Sequence, residues 1–271
     1  MVAGRTRRGT VQATVAAVPP ALVGVIAVGG VLALWQAAAV SGLLPATSVP
    51  PATAVGREFV GLMSEQTFWQ KFAETGTGWA IGVLLTALVA IPVGLALGVS
   101  AFLHDSGSGL IEVLKPIPPI ALIPLTLLMW GPALQMKLFL IVFGSVWPLL
   151  TQIIYGVRRV DHVALEMSRT YGLGWRRTTT HVVMPSILPY LSTGLRISAA
   201  IGLIISLVAE MIAGNPGLGQ LIVVAQSSNA LGRMYALIIV TGLMGLAINH
   251  AFALLDRWVL AWHPSNRKER E

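Results

Sequence analysis

Residues 75–104, from Thr75 to His104, contain no Asp, Glu, Lys or Arg. As α-helix this run exceeds the roughly 20 apolar residues that cross the ~30 Å hydrocarbon core of a bilayer. Five further stretches, at about 20–40, 111–131, 135–156, 186–213 and 234–261, are apolar over comparable lengths. Only 11% of the 271 residues are charged, against about 25% in soluble domains. A disordered chain is thereby excluded, and so low a charge content argues against a soluble globular enzyme. The expected fold class is all-α integral membrane with six transmembrane helices.

Charge placement orients the spans. With the N-terminus inside, the cytoplasmic segments hold Arg5, Arg7, Arg8, Arg158, Arg159, Arg169, Arg176, Arg177, Arg257, Arg267, Lys268 and Arg270. The external segments hold only Arg57, Lys71, Lys137 and Arg233. This asymmetry follows the positive-inside bias and predicts a multi-pass cell-membrane protein with cytoplasmic tails at 1–19 and 262–271. The net charge of +7 therefore reflects topology, and nucleic acid is not an expected partner. Arg5, Arg7 and Arg8 before an apolar stretch imitate a signal sequence or a twin-arginine pair, but the stretch is long and more spans follow. An uncleaved first helix is expected.

Between the first two spans, Pro45, Pro50 and Pro51 break helix. Val55, Phe59, Leu62 and Met63 then form an apolar stripe, expected as a short helix lying on the outer leaflet. In the second span Gly78, Gly82, Thr86, Ala90, Gly94 and Gly98 recur every fourth residue, a ridge that lets another helix approach closely. His104-Asp105-Ser106-Gly107-Ser108-Gly109 reads as a polar loop leading to the third span. That span carries Pro116, Pro118, Pro119 and Pro124, which predict an irregular helix.

The longest charged stretch between spans is 157–185. Asp161 is placed to cap a helix over 162–171, Gly172 and Gly174 interrupt it, and a second short piece over 175–182 ends before Pro185, which starts the fifth span. Two short helices bent at a glycine make a rigid knob suited to a groove in another protein.

Glu166-Met167-Ser168, three residues, Gly172, nine residues, then Val182-Val183-Met184-Pro185 resembles the EAA motif of permease subunits of binding-protein-dependent ABC importers. The family pattern is Glu-Ala-Ala-x3-Gly-x9-Ile-x-Leu-Pro. The spacing agrees throughout; Met167, Ser168, Val182 and Met184 are the departures. Lys115-Pro-Ile-Pro-Pro-Ile-Ala, Gly194-Leu195-Arg196, Ala209-Glu210-Met211 and Gly217-Leu218-Gly219 resemble landmarks of the nitrate/sulfonate/taurine-type group, with Lys115 in place of its usual Arg. The likeness spans roughly 45–260. It implies a permease forming half of a translocation pathway with a second copy, a homodimer by default. The other implied partners are a cytoplasmic dimer of ATP-binding subunits, an extracytoplasmic substrate-binding protein and membrane lipid. It further implies that Glu166, Met167, Ser168, Gly172, Leu173, Gly174, Trp175 and Pro185 contact the ATPase as a coupling helix, and that the cargo is a small anion such as a sulfonate, taurine or nitrate, or a vitamin-like precursor.

The chain's own residues agree with dependence on a motor. A phosphate-binding loop needs Gly-Lys-Ser/Thr, but its four lysines follow Gln70, Leu114, Met136 and Arg267. ATP and Mg are thus expected on the partner, no cofactor on this chain, and no enzymatic activity. With no cysteine, and with His162, His181, His250 and His263 lacking metal-ligand spacing, no metal site is expected. Charges within spans cost on the order of 2.5–3.5 kcal/mol at the bilayer centre, so Glu210, Arg196 and Lys115, with Pro118 and Pro119, stand as pathway or gate candidates. Each has a plainer reading: Glu210 hydrogen-bonded between helices, Arg196 paired with a carboxylate, Lys115 paired with Glu112 three positions away. The loop Asn215–Gly219 is external and able to fold back into the pathway mouth. Trp130, Trp147, Trp258 and Trp262, with Tyr155 and Tyr171, fit an interfacial belt. Two rivals lose ground here: an ion-driven secondary transporter wants several midplane carboxylates, and a membrane enzyme wants clustered His or Asp.

Overall fold

The computed structural model describes residues 20–45 and 47–260; Arg5, Arg7, Arg8, Trp262, His263, Arg267, Lys268, Arg270 and both tails lie outside them. All regular structure among the described residues is helical: α1 Pro20–Val40, α2 Ala52–Met63, α3 Gln66–Val99, α4 Ala101–Leu114, α5 Ile123–Trp130, α6 Leu134–Arg158, α7 His162–Thr170, α8 Trp175–Ala213, α9 Leu218–Ser227 and α10 Leu231–Val259. The helices α1, α3, α6, α8 and α10 are long and apolar enough to cross a bilayer. A sixth crossing requires α4 and Pro119–Trp130 to act as one span bent by 75°.

The centre is a three-helix unit of α3, α6 and α8. Gly78, Gly82, Thr86, Ala90 and Gly94 are all buried, and their small or absent side chains make room for α6. A Cβ on Gly82 would sit 2.6 Å from Ile141 Cγ2, and one on Gly98 2.6 Å from Val157 Cβ. On the other side of α6, Gly156 admits Tyr190 and Gly194 of α8 admits Leu149. Small residues thus bring backbones together where lipid offers no hydrophobic drive for helices to associate.

Several elements differ from the sequence expectations. Helix α3 begins at Gln66 rather than near 75, because Phe68 is buried and Phe72 partly buried in a cluster with α2, α9 and α10. The expected loop 104–109 is helical. Ser100 Oγ accepts a hydrogen bond from Leu103 N (3.3 Å), capping α4, and Gly107 lets α4 pack against Leu97. The third span breaks after Leu114, where Pro116, Pro118 and Pro119 remove successive donors. Helix α2 does not turn its apolar stripe to a leaflet. Its stripe is driven into protein, with Val55 and Leu62 buried against Leu218, Ile222 and Leu237. Pro185 does not start the fifth span either: α8 runs from Trp175 through a π turn at Thr179–Val183 and on to Ala213. The wider turn accommodates the proline ring and its missing N–H without ending the helix. Helix α9 had no counterpart among the expected elements, being too short to span.

Candidate functional site

The knob is built by local rules. Asp161 Oδ1 accepts from Val163 N (2.9 Å), satisfying an orphan donor at the start of α7. At the other end Gly172 N donates to Arg169 O (3.0 Å) and Leu173 N to Ser168 O (2.9 Å). This paired closure requires a left-handed residue, which Gly172 supplies at φ +67°. Gly174 needs no such freedom; its φ is −66°. Buried Ser168 donates to Leu165 O (2.7 Å) and accepts from Thr178 Oγ1 (3.3 Å), stapling α7 to the first turn of α8.

The knob shows an apolar row outward among exposed charged residues that include Glu166, Arg169, Arg176 and Arg177. Val163 and Met167 are each 57% exposed, Tyr171 81% and Trp175 80%, at steps of four residues. Glu166 and Gly174 are also exposed, Leu173 and Pro185 partly buried. Uncovered aromatic and methionine side chains beside polar neighbours are the composition of a protein-binding surface.

At the opposite end of α8 lies a buried ion pair. Lys137 Nζ sits 3.0 Å from Glu210 Oε1, with side chains 3% and 0% exposed. The ammonium also donates to Glu74 O (3.2 Å) and Pro216 O (3.4 Å). Glu210 Oε2 accepts from Thr75 Oγ1 (2.9 Å) and Gly219 N (3.0 Å), and Oε1 from Ser206 Oγ (3.3 Å). Thr75 Oγ1 in turn accepts from Leu218 N (2.8 Å). Three glycines surround the pair. Gly78 leaves room for the Lys137 stem, while a Cβ on Gly217 or Gly219 would collide with Glu210. The Asn215–Gly219 segment thus folds inward onto Glu210, with Asn215 donating to Ala133 O (2.8 Å).

This corrects the placement of Lys137 in an external segment. Its position inside the run 135–156 was the available signal, and Thr75, Glu74 and Ser206 were missed with it.

Arg196, fourteen residues before Glu210 and so about 21 Å along the helix, belongs to another cluster. It pairs with Asp256 of α10, which also accepts from Ser192. Together with Thr241 and Asn249, Arg196 lines a cavity of about 620 Å³ between α8 and α10. Lys115, at the C-cap of α4, and Pro118 are exposed at the break in the third span. No ion pair joins Lys115 to Glu112 among the described residues. Pro119 packs against α6 at Gly144. The five pathway candidates therefore fall in three places rather than one.

Comparison with known proteins assigns the family. Residues 82–261 match the family described as binding-protein-dependent transport system inner membrane component. A provisionally named ABC transporter permease of Methanocaldococcus jannaschii is 35% identical over 67% of this chain and 68% of its own length. A permease provisionally named for aliphatic sulfonates transport in Escherichia coli is 30% identical, covering 87% of this chain and 90% of its own. The taurine transport system permease of the same organism is 28% identical over 89% of each. Relatives named for nitrate import in Synechocystis and bicarbonate transport in Synechococcus elongatus also match. In structure, a chain of the MetNI methionine ABC transporter superposes with a TM-score of 0.63 at 21% identity, covering 72% of this chain and 99% of that one. The membrane helices, the motif spacing and these matches together place the chain in the family of binding-protein-dependent ABC importer permeases.

Proposed function

We propose that this permease forms one half of a two-fold translocation pathway and takes its driving force from a separate ATPase through the knob at 161–184. The observation that carries this is the exposed apolar row Val163, Met167, Tyr171 and Trp175 on a capped and stapled support. A rigid knob transmits displacement; a loose one absorbs it. ATP binding by the partner closes its dimer and draws the two knobs together, and each knob passes the motion directly into α8, with which it is continuous. Coupling then rests on two global states that nucleotide biases. Glu166, Met167, Ser168, Gly172, Leu173, Gly174, Trp175 and Pro185 constitute the coupling segment, and ATP and Mg reside on the partner.

Replacing Gly172 by Leu is the test. The site has open space around it, so only the backbone is strained, by about 1–2 kcal/mol. In proteoliposomes containing the permease, its ATPase and its binding protein, Gly172→Leu is expected to retain ATP hydrolysis while losing most uptake. Normal uptake would overturn the proposal.

The cargo is proposed to be a small anion such as a sulfonate, taurine or nitrate. The relatives' names support this; Arg196, paired with Asp256, does not bear on it. Selection is expected to reside in the extracytoplasmic binding protein. Calorimetry on that protein decides: no heat with sulfonates, taurine or nitrate would remove this cargo class and leave the permease assignment untouched.

A further inference from the structure

We infer that the cleft between α4 and α6 is a binding site for one anionic phospholipid, in the leaflet on the knob's side of the membrane. His104, Ser108 and Lys115 of the α4 region face Thr151, Tyr155 and Arg158 of α6 across a cavity of about 370 Å³, with Glu112 its one carboxylate. None of these charged groups forms an ion pair with another among the described residues. Arg159, its guanidinium 4.5 Å from the centroid of the Tyr155 ring, adds a further positive charge at the rim. A cleft with this excess of cations and the Tyr155 hydroxyl fits a phosphate diester; the Ser108 and Thr151 hydroxyls donate to Asp105 O and Trp147 O.

The same two helices continue the cleft as an apolar groove. A second cavity of about 480 Å³, sharing Ile111 with the first, runs between α3, α4 and α6 and is lined by Val93, Leu97, Phe143, Val146 and Leu150 among others. From Leu150 back to Phe139 the groove covers twelve residues of α6, about 18 Å. That is close to one leaflet's share of the ~30 Å hydrocarbon core. Trp147, one turn before Thr151, also lines the groove. A free oxyanion would use the basic cleft but leave the groove unserved. Basic pockets between membrane helices are a known way of holding anionic head groups. The Arg158 end of the cleft lies three residues before Asp161, so the lipid would brace the base of the knob.

The test uses the permease assembled with its partner subunits, delipidated in detergent. Native mass spectrometry would then compare phosphatidylglycerol with phosphatidylcholine of matched acyl chains, and with inorganic phosphate as competitor. Wild type should retain phosphatidylglycerol about tenfold or more over phosphatidylcholine. Lys115→Ala with Arg158→Ala should abolish that preference, Lys115→Arg with Arg158→Lys should keep it, and Arg57→Ala, at an exposed position of α2, should change nothing. In the unaltered protein a photoactivatable phosphatidylglycerol should label peptides of α4 and α6. No preference in wild type, labelling confined to other helices, or displacement of the lipid by millimolar-range phosphate alone would each overturn the assignment.

Discussion

At the scale of single residues the chain's most demanding feature is Lys137 against Glu210. Neither charge has water to fall back on, and removing one partner of a buried pair typically costs about 3–5 kcal/mol because the other is left uncompensated. We expect Lys137→Met or Glu210→Gln to lower the detergent melting temperature sharply. The double change should recover part of the loss, since two neutral groups bury more cheaply than one lone ion. A double variant no more stable than either single would show that the pair is not what holds this end of the bundle. Glu65 offers a contrast. Its carboxyl, outside the spans, is held below the ordinary carboxylate range chiefly by hydrogen bonds from Arg233 (2.7 and 2.5 Å), with burial opposing and the guanidinium charge assisting. A depressed folded pKa means the contribution is present above the unfolded value of about 4.3 and fades as pH falls through the lower folded one. The melting difference between wild type and Glu65→Gln should therefore be visible at neutral pH and vanish in acid; a difference that grew on acidification would contradict the bridge. Glu210 was legible as a residue needing a reason, because a carboxylate deep in an apolar run announces itself. Lys137 was not, because a cation three residues into α6 looks like a span-end residue until its partner, 73 positions away, is in place.

Helices and their joints follow from patterns of different reach. The α3 ridge was readable because its period is fixed by the helix itself, and any neighbour must use it. Gly82→Leu would drive side-chain atoms into Ile141 and is expected to cost about 1–3 kcal/mol by overpacking, whereas Gly24→Leu on α1, with open space around it, should be neutral. Expression level and melting temperature of the two variants give the comparison, and equal losses would mean that close α3–α6 approach is not what the ridge provides. The knob was readable for the same reason: Asp161 and Gly172 act within one turn of their own positions. Asp161→Ala should cost about 1 kcal/mol of local helix stability, seen as faster amide exchange confined to α7. Joints were harder. The Gly/Ser run 106–109 has the composition of a loop, yet Ser100 and the packing of Gly107 on Leu97 keep it helical. Pro185 has the look of a helix start, yet a π turn carries the helix past it. In both places contacts outside the local window decide.

For the molecule as a whole, α8 is the organising rod. It leaves the knob at Trp175, ties to α10 through Arg196 and Asp256, and ends in the Glu210 network that also holds α3, α6 and the start of α9. An apolar surface packed at glycine ridges resists bending, because cores are bistable rather than continuously deformable. The three-helix unit should therefore move as one body when the proposed motor closes. The chain has no cysteine, so introduced ones report without background. Spin labels on Met167→Cys, one per copy, should draw closer on vanadate trapping of the assembled importer. Labels on Leu88→Cys and Ile204→Cys of one copy, diluted with unlabelled copies, should keep their separation within the label's own spread. A knob-to-knob distance that stays fixed while cargo moves would remove the mechanical reading. A change between Leu88 and Ile204 instead would keep the coupling but relocate the hinge into the bundle, against the rigidity that the ridges and the buried pair imply.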